Sequence, residues 1–294
     1  MRNRLYIVDV FAERPYAGNQ LAVVVGGETL SAETMQQIAA EMNYSETTFV
    51  PSAPEPAGGY RVRIFTPAKE IAFAGHPILG TAWVVCHRAG QAMAEPITLI
   101  LSVGQVRCTC ERTTSGEEVF WFRAPPAEFG PTCPAERIAG ALGLSAHDID
   151  AKAPIQQIGT GTAALIVPLR SLDALKRARL DRAAFAPLAN DGFPPLVYLF
   201  CAETHDPGND LCARFFFDAH GIREDPATGN GAAFLGAYLL RHRFFSANEI
   251  SLQIEQGYEV RRPSLVRLRA KRIDENYEIH VGGRVIPIVE GELV

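Results

Sequence analysis

The chain has 294 residues, 47% hydrophobic and 21% charged, which is enough apolar material for a packed core and enough length for two ordinary domains, and excludes a disordered chain. Its 28 Lys and Arg against 33 Asp and Glu give a formal net charge of −5, with no basic excess to attract nucleic acid. No apolar run approaches the roughly 20 residues of a membrane span, and Met1-Arg2-Asn3-Arg4 leads straight into strand-like Leu5-Tyr6-Ile7-Val8-Asp9 rather than the core of a signal peptide, so a cytoplasmic location with no membrane partner is expected.

In chain order, Leu5 to Phe11 reads as a strand, Ala17-Gly18-Asn19-Gln20 as a turn and Leu21 to Val25 as a second strand. Ser31 is a natural N-cap for a helix in which Met35, Ile38, Ala39 and Met42 recur at helical spacing, ending near Asn43. Glu46 then falls at a junction before the β-branched stretch Thr47-Thr48-Phe49-Val50. Tyr60 to Thr66 alternates as a strand, and an apolar helix is predicted from about Pro77 to His87, with Pro in its first turn. Strands follow at Ile97 to Leu101, Gln105 to Glu111 and Val119 to Arg123, and Ala124-Pro125-Pro126 marks a domain boundary.

The second half repeats the theme. A helix is predicted around Ala135 to Leu142, a strand at Leu165 to Pro168, a helix at Ser171 to Lys176, and strands at Leu196 to Cys201 and Cys212 to Asp218. An apolar helical run covers Ala232 to Leu240. Closing strands are expected at Ile250 to Glu255, Tyr258 to Arg261, Leu265 to Ala270 and Tyr277 to Val281; the arginines between Arg261 and Arg272 alternate with apolar residues, as on a strand. Strands that cluster rather than alternate regularly with helices point to an α+β architecture.

The six cysteines, Cys86, Cys108, Cys110, Cys133, Cys201 and Cys212, form no Cys-x-x-Cys pair and sit in apolar or strand-like surroundings, which suits reduced core thiols. Cys108 and Cys110 share a strand face as a zinc half-site would, but no second pair at ligand spacing completes it, and no metal is expected. Gly159-Thr160-Gly161-Thr162 lacks the ending of a phosphate loop and reads as a turn.

Two stretches stand out. Phe73-Ala74-Gly75-His76-Pro77 and Glu224-Asp225-Pro226-Ala227-Thr228-Gly229-Asn230 each run from loop into an apolar segment, about half a chain apart, as an internal duplication would leave them. A glycine at the mouth of a helix presents unpaired backbone N–H groups and the positive end of the helix dipole, which suits a carboxylate or a developing oxyanion. Two such mouths facing one another would hold a small anionic metabolite from both sides.

The succession Asp9-Val10-Phe11, Gly18-Asn19-Gln20-Leu21-Ala22-Val23, Asn43-Tyr44-Ser45-Glu46-Thr47-Thr48-Phe49-Val50, Ile64-Phe65-Thr66-Pro67, Phe73 to Pro77, Glu224 to Gly229 and Val281-Gly282-Gly283 resembles the PhzF-like phenazine-biosynthesis family, in order and over nearly the whole chain. The resemblance implies a diaminopimelate-epimerase-like α+β fold of two pseudo-symmetric lobes, each a curved, mainly antiparallel sheet wrapped around a central helix. It places an N-terminal lobe at 1–126, joined by a returning segment from about 282 to 294, and a C-terminal lobe at 127–281. It also implies a cleft between the lobes as active site, a homodimer, and catalysis without metal or organic cofactor. Glu46 becomes the principal acid/base, with His76 and Asp225 as its catalytic partners. The related epimerases use two cysteines at the helix mouths; Ala74 and Thr228 stand there here, so two-thiol racemisation is not available. Asn230 stands where the phenazine isomerase has Ser, and Gln20 where Pro is frequent.

A carboxylate such as Glu46 can take a carbon-bound proton efficiently only if its pKa is raised above the ordinary value of about 4.3. His76 at a helix N-terminus should be kept neutral by the dipole, and Asp225, before a proline, is expected to be extended and exposed. Gly75 and Gly229 are candidates for close backbone approach to the substrate, with Asn19, Ser45 and Asn230 as further contacts. His87, His147, His205, His220, His242 and His280 show no metal or triad spacing. These residues predict an isomerase that moves a proton within a small carboxylate-bearing metabolite. A non-catalytic metabolite-binding protein and a thiol-free epimerase or racemase remain as alternatives, and the three differ in whether deuterium from D2O enters the bound compound and with what stereochemistry.

Overall fold

The computed structural model describes residues 3–89, 95–160, 162–216 and 224–294. The chain forms two compact units, Met1–Arg123 with Val281–Val294, and Ala124–His280.

The first unit opens with β1 (Arg4–Val10) and β2 (Asn19–Val25), paired antiparallel. The turn between them ends at Gly18, with φ +69°, where a Cβ would lie 2.4 Å from the Val10 carbonyl oxygen. No other residue fits that position without strain. Helix α1 (Ala32–Met42) starts where the Ser31 hydroxyl accepts the Thr34 N–H and stops at Asn43, whose φ of 53° is left-handed. It carries the chain to β3 (Glu46–Val50), which pairs parallel with β2 so that Glu46 lies level with Leu21. Then come β4 (Tyr60–Arg61), β5 (Arg63–Phe65), β6 (Glu70–Ile71), α2 (Gly75–Ala89), β7 (Ile97–Leu101), β8 (Gly104–Arg112) and β9 (Glu118–Arg123). The single strand predicted from Tyr60 to Thr66 is divided because its two parts serve different sheets: β4 pairs with β7, and β5 with β3. Helix α2 packs against β1, β2 and β3 and also against β7, β8 and β9. Ile78, Leu79, Ala82, Val84, Val85 and Cys86 are buried accordingly.

The second unit contains β10 (Glu128–Cys133), α3 (Ala135–Ala141), β11 (Ile155–Thr160), β12 (Thr162–Pro168), α4 (Leu172–Arg177), α5 (Arg182–Asn190), β13 (Val197–Cys201), β14 (Leu211–Phe216), α6 (Gly229–Arg241), β15 (Glu249–Gln256), β16 (Ser264–Ile273) and the start of β17 (Asn276–Gly283), which belongs to the first unit from Val281 on. Strands β10 to β17 lie in the sheet in sequence order. Leu165 and Val167 of β12 join a core with Ile138 of α3, Leu142 at its C-cap, Leu175 of α4 and Phe185 of α5. Helix α6 packs against β11, β12 and β16, buried from Gly231 to Leu240. Strand β18 (Val285–Glu292) pairs with β1 in the first unit and completes the sheet order β18-β1-β2-β3-β5-β6. Each unit is thus a largely antiparallel α+β assembly built on one buried helix, α2 or α6, and each helix begins at the glycine of its motif.

Several local expectations change. Tyr258 to Arg261 is a turn, with Arg261 at φ 60° and its N–H on the Tyr258 carbonyl, because Gly257 at φ +82° ends β15 there. β18, β10 and α5 escape sequence reading because each carries a proline: Pro287 at the register shift against β1, Pro131 at the irregular pairing with β11, and Pro187 inside the helix. Strand β14 ends at Phe216; the predicted continuation to Asp218, and His220, lie outside the described residues. The Gly159 to Thr162 stretch joins β11 to β12, with Gly161 outside the described residues. Among the described residues no helix is long and apolar enough to cross a membrane.

Candidate acid-base site

Three elements of the first unit converge on its polar interior. Asn19 is the first residue of β2, Glu46 the first of β3 and His76 the second of α2, and all three are more than nine-tenths buried. His76 Nε2 stands 3.4 Å from Glu46 Oε2, and its Nδ1 stands 3.2 Å from Asn19 Nδ2. Nε2 faces the Glu46 carboxylate without forming a hydrogen bond to it. Burial lowers the His76 pKa to about 3, with a hydrogen bond to the Gln20 backbone pulling the other way. The ring is therefore neutral at physiological pH, and burial, ahead of any helix dipole, is the cause. Ser45, half-buried, forms the bend before Glu46, and Gly75 is the buried first residue of α2.

Asp225, Gly229 and Asn230 belong to the second unit. Asp225 is extended, its N–H on the Phe215 carbonyl at 2.9 Å. It is buried, against the sequence expectation of an exposed loop position. The correction has a physical origin: the Thr228 hydroxyl donates to Asp225 Oδ2, and the Gln256 amide donates to the Asp225 carbonyl at 2.8 Å. Gly229 begins α6, and Asn230 follows, half-buried. Beside them Arg214, almost wholly enclosed, forms a bidentate pair with Glu224 at 2.9 and 2.7 Å and donates to the Leu175 and Ala178 carbonyls. Tyr198 lies level with Phe215, which in turn bridges to Asp225, and burial raises its phenol pKa.

Sequence reasoning missed Gln256, Arg214 and Tyr198, since an isolated polar residue on a strand carries no motif. Buried thiols are unreactive by the same physics: burial pushes Cys108 and Cys201 up to about 12. His205, Cys212 and Glu255 come within 4.8 Å of one another. Glu255 there already accepts the His205 and Asp206 backbone N–H groups, the Asn209 amide and the His205 ring, an arrangement that satisfies the carboxylate without a cation.

The fold is that of the epimerase-like isomerases. A probable proline racemase from Agrobacterium radiobacter shares it at a TM-score of 0.64 and 11% identity, over 99% of this chain and 93% of that one. A Bacillus anthracis phenazine biosynthesis protein of the PhzF family superposes more closely, at a TM-score of 0.90 with 27% identity over 100% of both chains. A trans-2,3-dihydro-3-hydroxyanthranilate isomerase from Pseudomonas aeruginosa is 34% identical over 98% of each chain. With residues 8–291 also matching the model of the phenazine biosynthesis-like proteins, the chain belongs to the PhzC-PhzF family.

Proposed function

We propose that the protein is a cofactor-independent isomerase that moves a proton within a small carboxylate-bearing metabolite. Glu46 is the acid/base that takes the proton from one carbon and returns it to another. His76 and Asp225 serve heteroatom protons and tune the charge around the reacting carbons, and the backbone N–H groups at Gly75-His76 and Gly229-Asn230 steady the anionic intermediate. The observation that carries this reading is the buried pair of Glu46 and neutral His76, 3.4 Å apart. A carboxylate shut away from water beside a neutral imidazole is equipped for proton transfer and is costly as mere structure. Trans-2,3-dihydro-3-hydroxyanthranilate, the compound in the name of the Pseudomonas aeruginosa relative, is the first substrate to test. Racemisation by paired thiols is disfavoured, because Ala74 and Thr228 precede the two helices.

The test is Glu46→Gln, which keeps the shape and removes the base. With trans-2,3-dihydro-3-hydroxyanthranilate in D2O, the wild type should isomerise the compound with deuterium at the shifted carbon, and the variant should lose roughly 10²- to 10⁴-fold in kcat. Turnover by the variant within a few-fold of wild type would remove Glu46 from the mechanism. Binding without exchange by the wild type would make the protein a metabolite binder.

A further inference from the structure

Gln256 closes β15 with no exposed surface. Its side-chain amide is committed to the segment that opens α6. Nε2 donates to the Asp225 carbonyl at 2.8 Å and to Thr228 Oγ1 at 3.3 Å, and Oε1 accepts the Thr228 N–H at 3.3 Å. A flipped amide would set its NH2 against the Thr228 N–H and its oxygen against the Asp225 carbonyl, so one orientation is fixed. Thr228 Oγ1 accepts from Gln256, and its single proton goes to Asp225 Oδ2.

Thr228 is also the N-cap of α6, yet its hydroxyl makes no cap hydrogen bond. A threonine at this position ordinarily turns its oxygen to the first free N–H groups of the helix; here the hydroxyl is committed to a carboxylate instead. Asp225, Thr228 and Gln256 are 7%, 8% and 0% exposed, surroundings in which a hydrogen bond to a carboxylate is at its strongest. The backbone adds its own constraint. At Gly257, with φ +82°, a Cβ would lie 2.5 Å from the Pro226 carbonyl oxygen, so the end of β15 is pressed directly against the Asp225-Pro226 segment.

We propose that Thr228 and Gln256 are positioning residues for Asp225: the Gln256 amide fixes the Thr228 hydroxyl, and that hydroxyl fixes the plane in which the carboxylate meets the substrate. The inference rests on the role given to Asp225 under Proposed function. A carboxylate released from this relay still binds substrate, but swings away from the productive geometry, and a misplacement of about 1 Å can cost 10²-fold in rate. The loss therefore belongs in kcat.

The experiment uses the full chain and trans-2,3-dihydro-3-hydroxyanthranilate in D2O, with Asp225→Asn, Thr228→Val, Thr228→Ser and Gln256→Met, and urea midpoints to confirm folding. Thr228→Val and Gln256→Met should each lower kcat roughly tenfold to a hundredfold with KM changed by no more than a few-fold. Thr228→Ser, which keeps the hydroxyl, should stay near wild type, and the Thr228→Val, Gln256→Met double variant should be little worse than the weaker single. If one variant fails to fold, the other carries the comparison. The relay alone is overturned if Asp225→Asn loses turnover while folded Thr228→Val or Gln256→Met keeps it. It is equally overturned if their loss lies in KM, or if Thr228→Ser fails as badly as Thr228→Val. Full turnover by Asp225→Asn overturns both the Asp225 assignment and the relay, and a wild type that neither isomerises the compound nor takes up deuterium overturns the proposed function and the relay with it.

Discussion

Lowering the pH should destabilise this protein through His76. Burial holds the folded pKa at about 3, against an ordinary 6.5. Between those values the unfolded chain binds a proton that the folded chain does not, so the stabilising contribution is fully present above pH 6.5 and is lost as the pH falls toward 3. Each pH unit costs about 1.4 kcal/mol, so about 3 kcal/mol of the stability held at pH 8 should be gone by pH 4.5. Urea unfolding of the wild type and of His76→Gln, at pH 8 and pH 4.5, isolates this contribution, because Gln does not titrate. Other groups, including His242, whose pKa burial also lowers, are present in both proteins and cancel. The wild type should lose about 3 kcal/mol more than the variant. Equal losses would show that the ring can be protonated in the folded state, and the neutral imidazole beside Glu46 would no longer stand.

Gly18→Ala would force a Cβ to 2.4 Å from the Val10 carbonyl at φ +69°. The backbone strain alone is worth about 1–3 kcal/mol, and because Asn19 follows directly, activity should fall with the urea midpoint; an unchanged midpoint would mean that the turn relaxes. Arg214→Met should cost about 3–5 kcal/mol, because it leaves Glu224, 8% exposed in its side chain, without its bidentate partner. Adding Glu224→Leu should recover much of that loss in the same urea assay, and no recovery would shift the cause to Glu259, 3.7 Å from Arg214, or to the carbonyls that Arg214 also binds.

Local signals were legible where one physical cause acts over a few residues. Ser31 and Asn43 bound α1 through a cap and a left-handed residue, and the alternation of Arg267 and Arg269 with Val266 and Leu268 is that of a strand with one buried face. Signals failed where a proline broke the period without ending the structure, as in β18 and α5, and where a left-handed turn ended a strand-like stretch, as at Tyr258 to Arg261. Glu46 illustrates the limit. Its position at the start of a strand could be read, but its burial could not, since that depends on β2 and α2 closing over it from elsewhere in the chain. Asp225 was misjudged for the same reason: a proline predicts extended backbone, whereas exposure is decided by Thr228 and by Gln256, which arrives from the end of β15.

By itself, then, the sequence determined the family, the α+β class and the two glycine-led helices, because these reside in contiguous motifs and in the spacing of apolar residues. Only the tertiary structure decided which polar groups lost their water: the burial that keeps His76 neutral, its 3.4 Å approach to Glu46, and the Gln256-Thr228-Asp225 chain. Desolvation and hydrogen-bond geometry depend on packing among residues distant in sequence, and no local pattern encodes them.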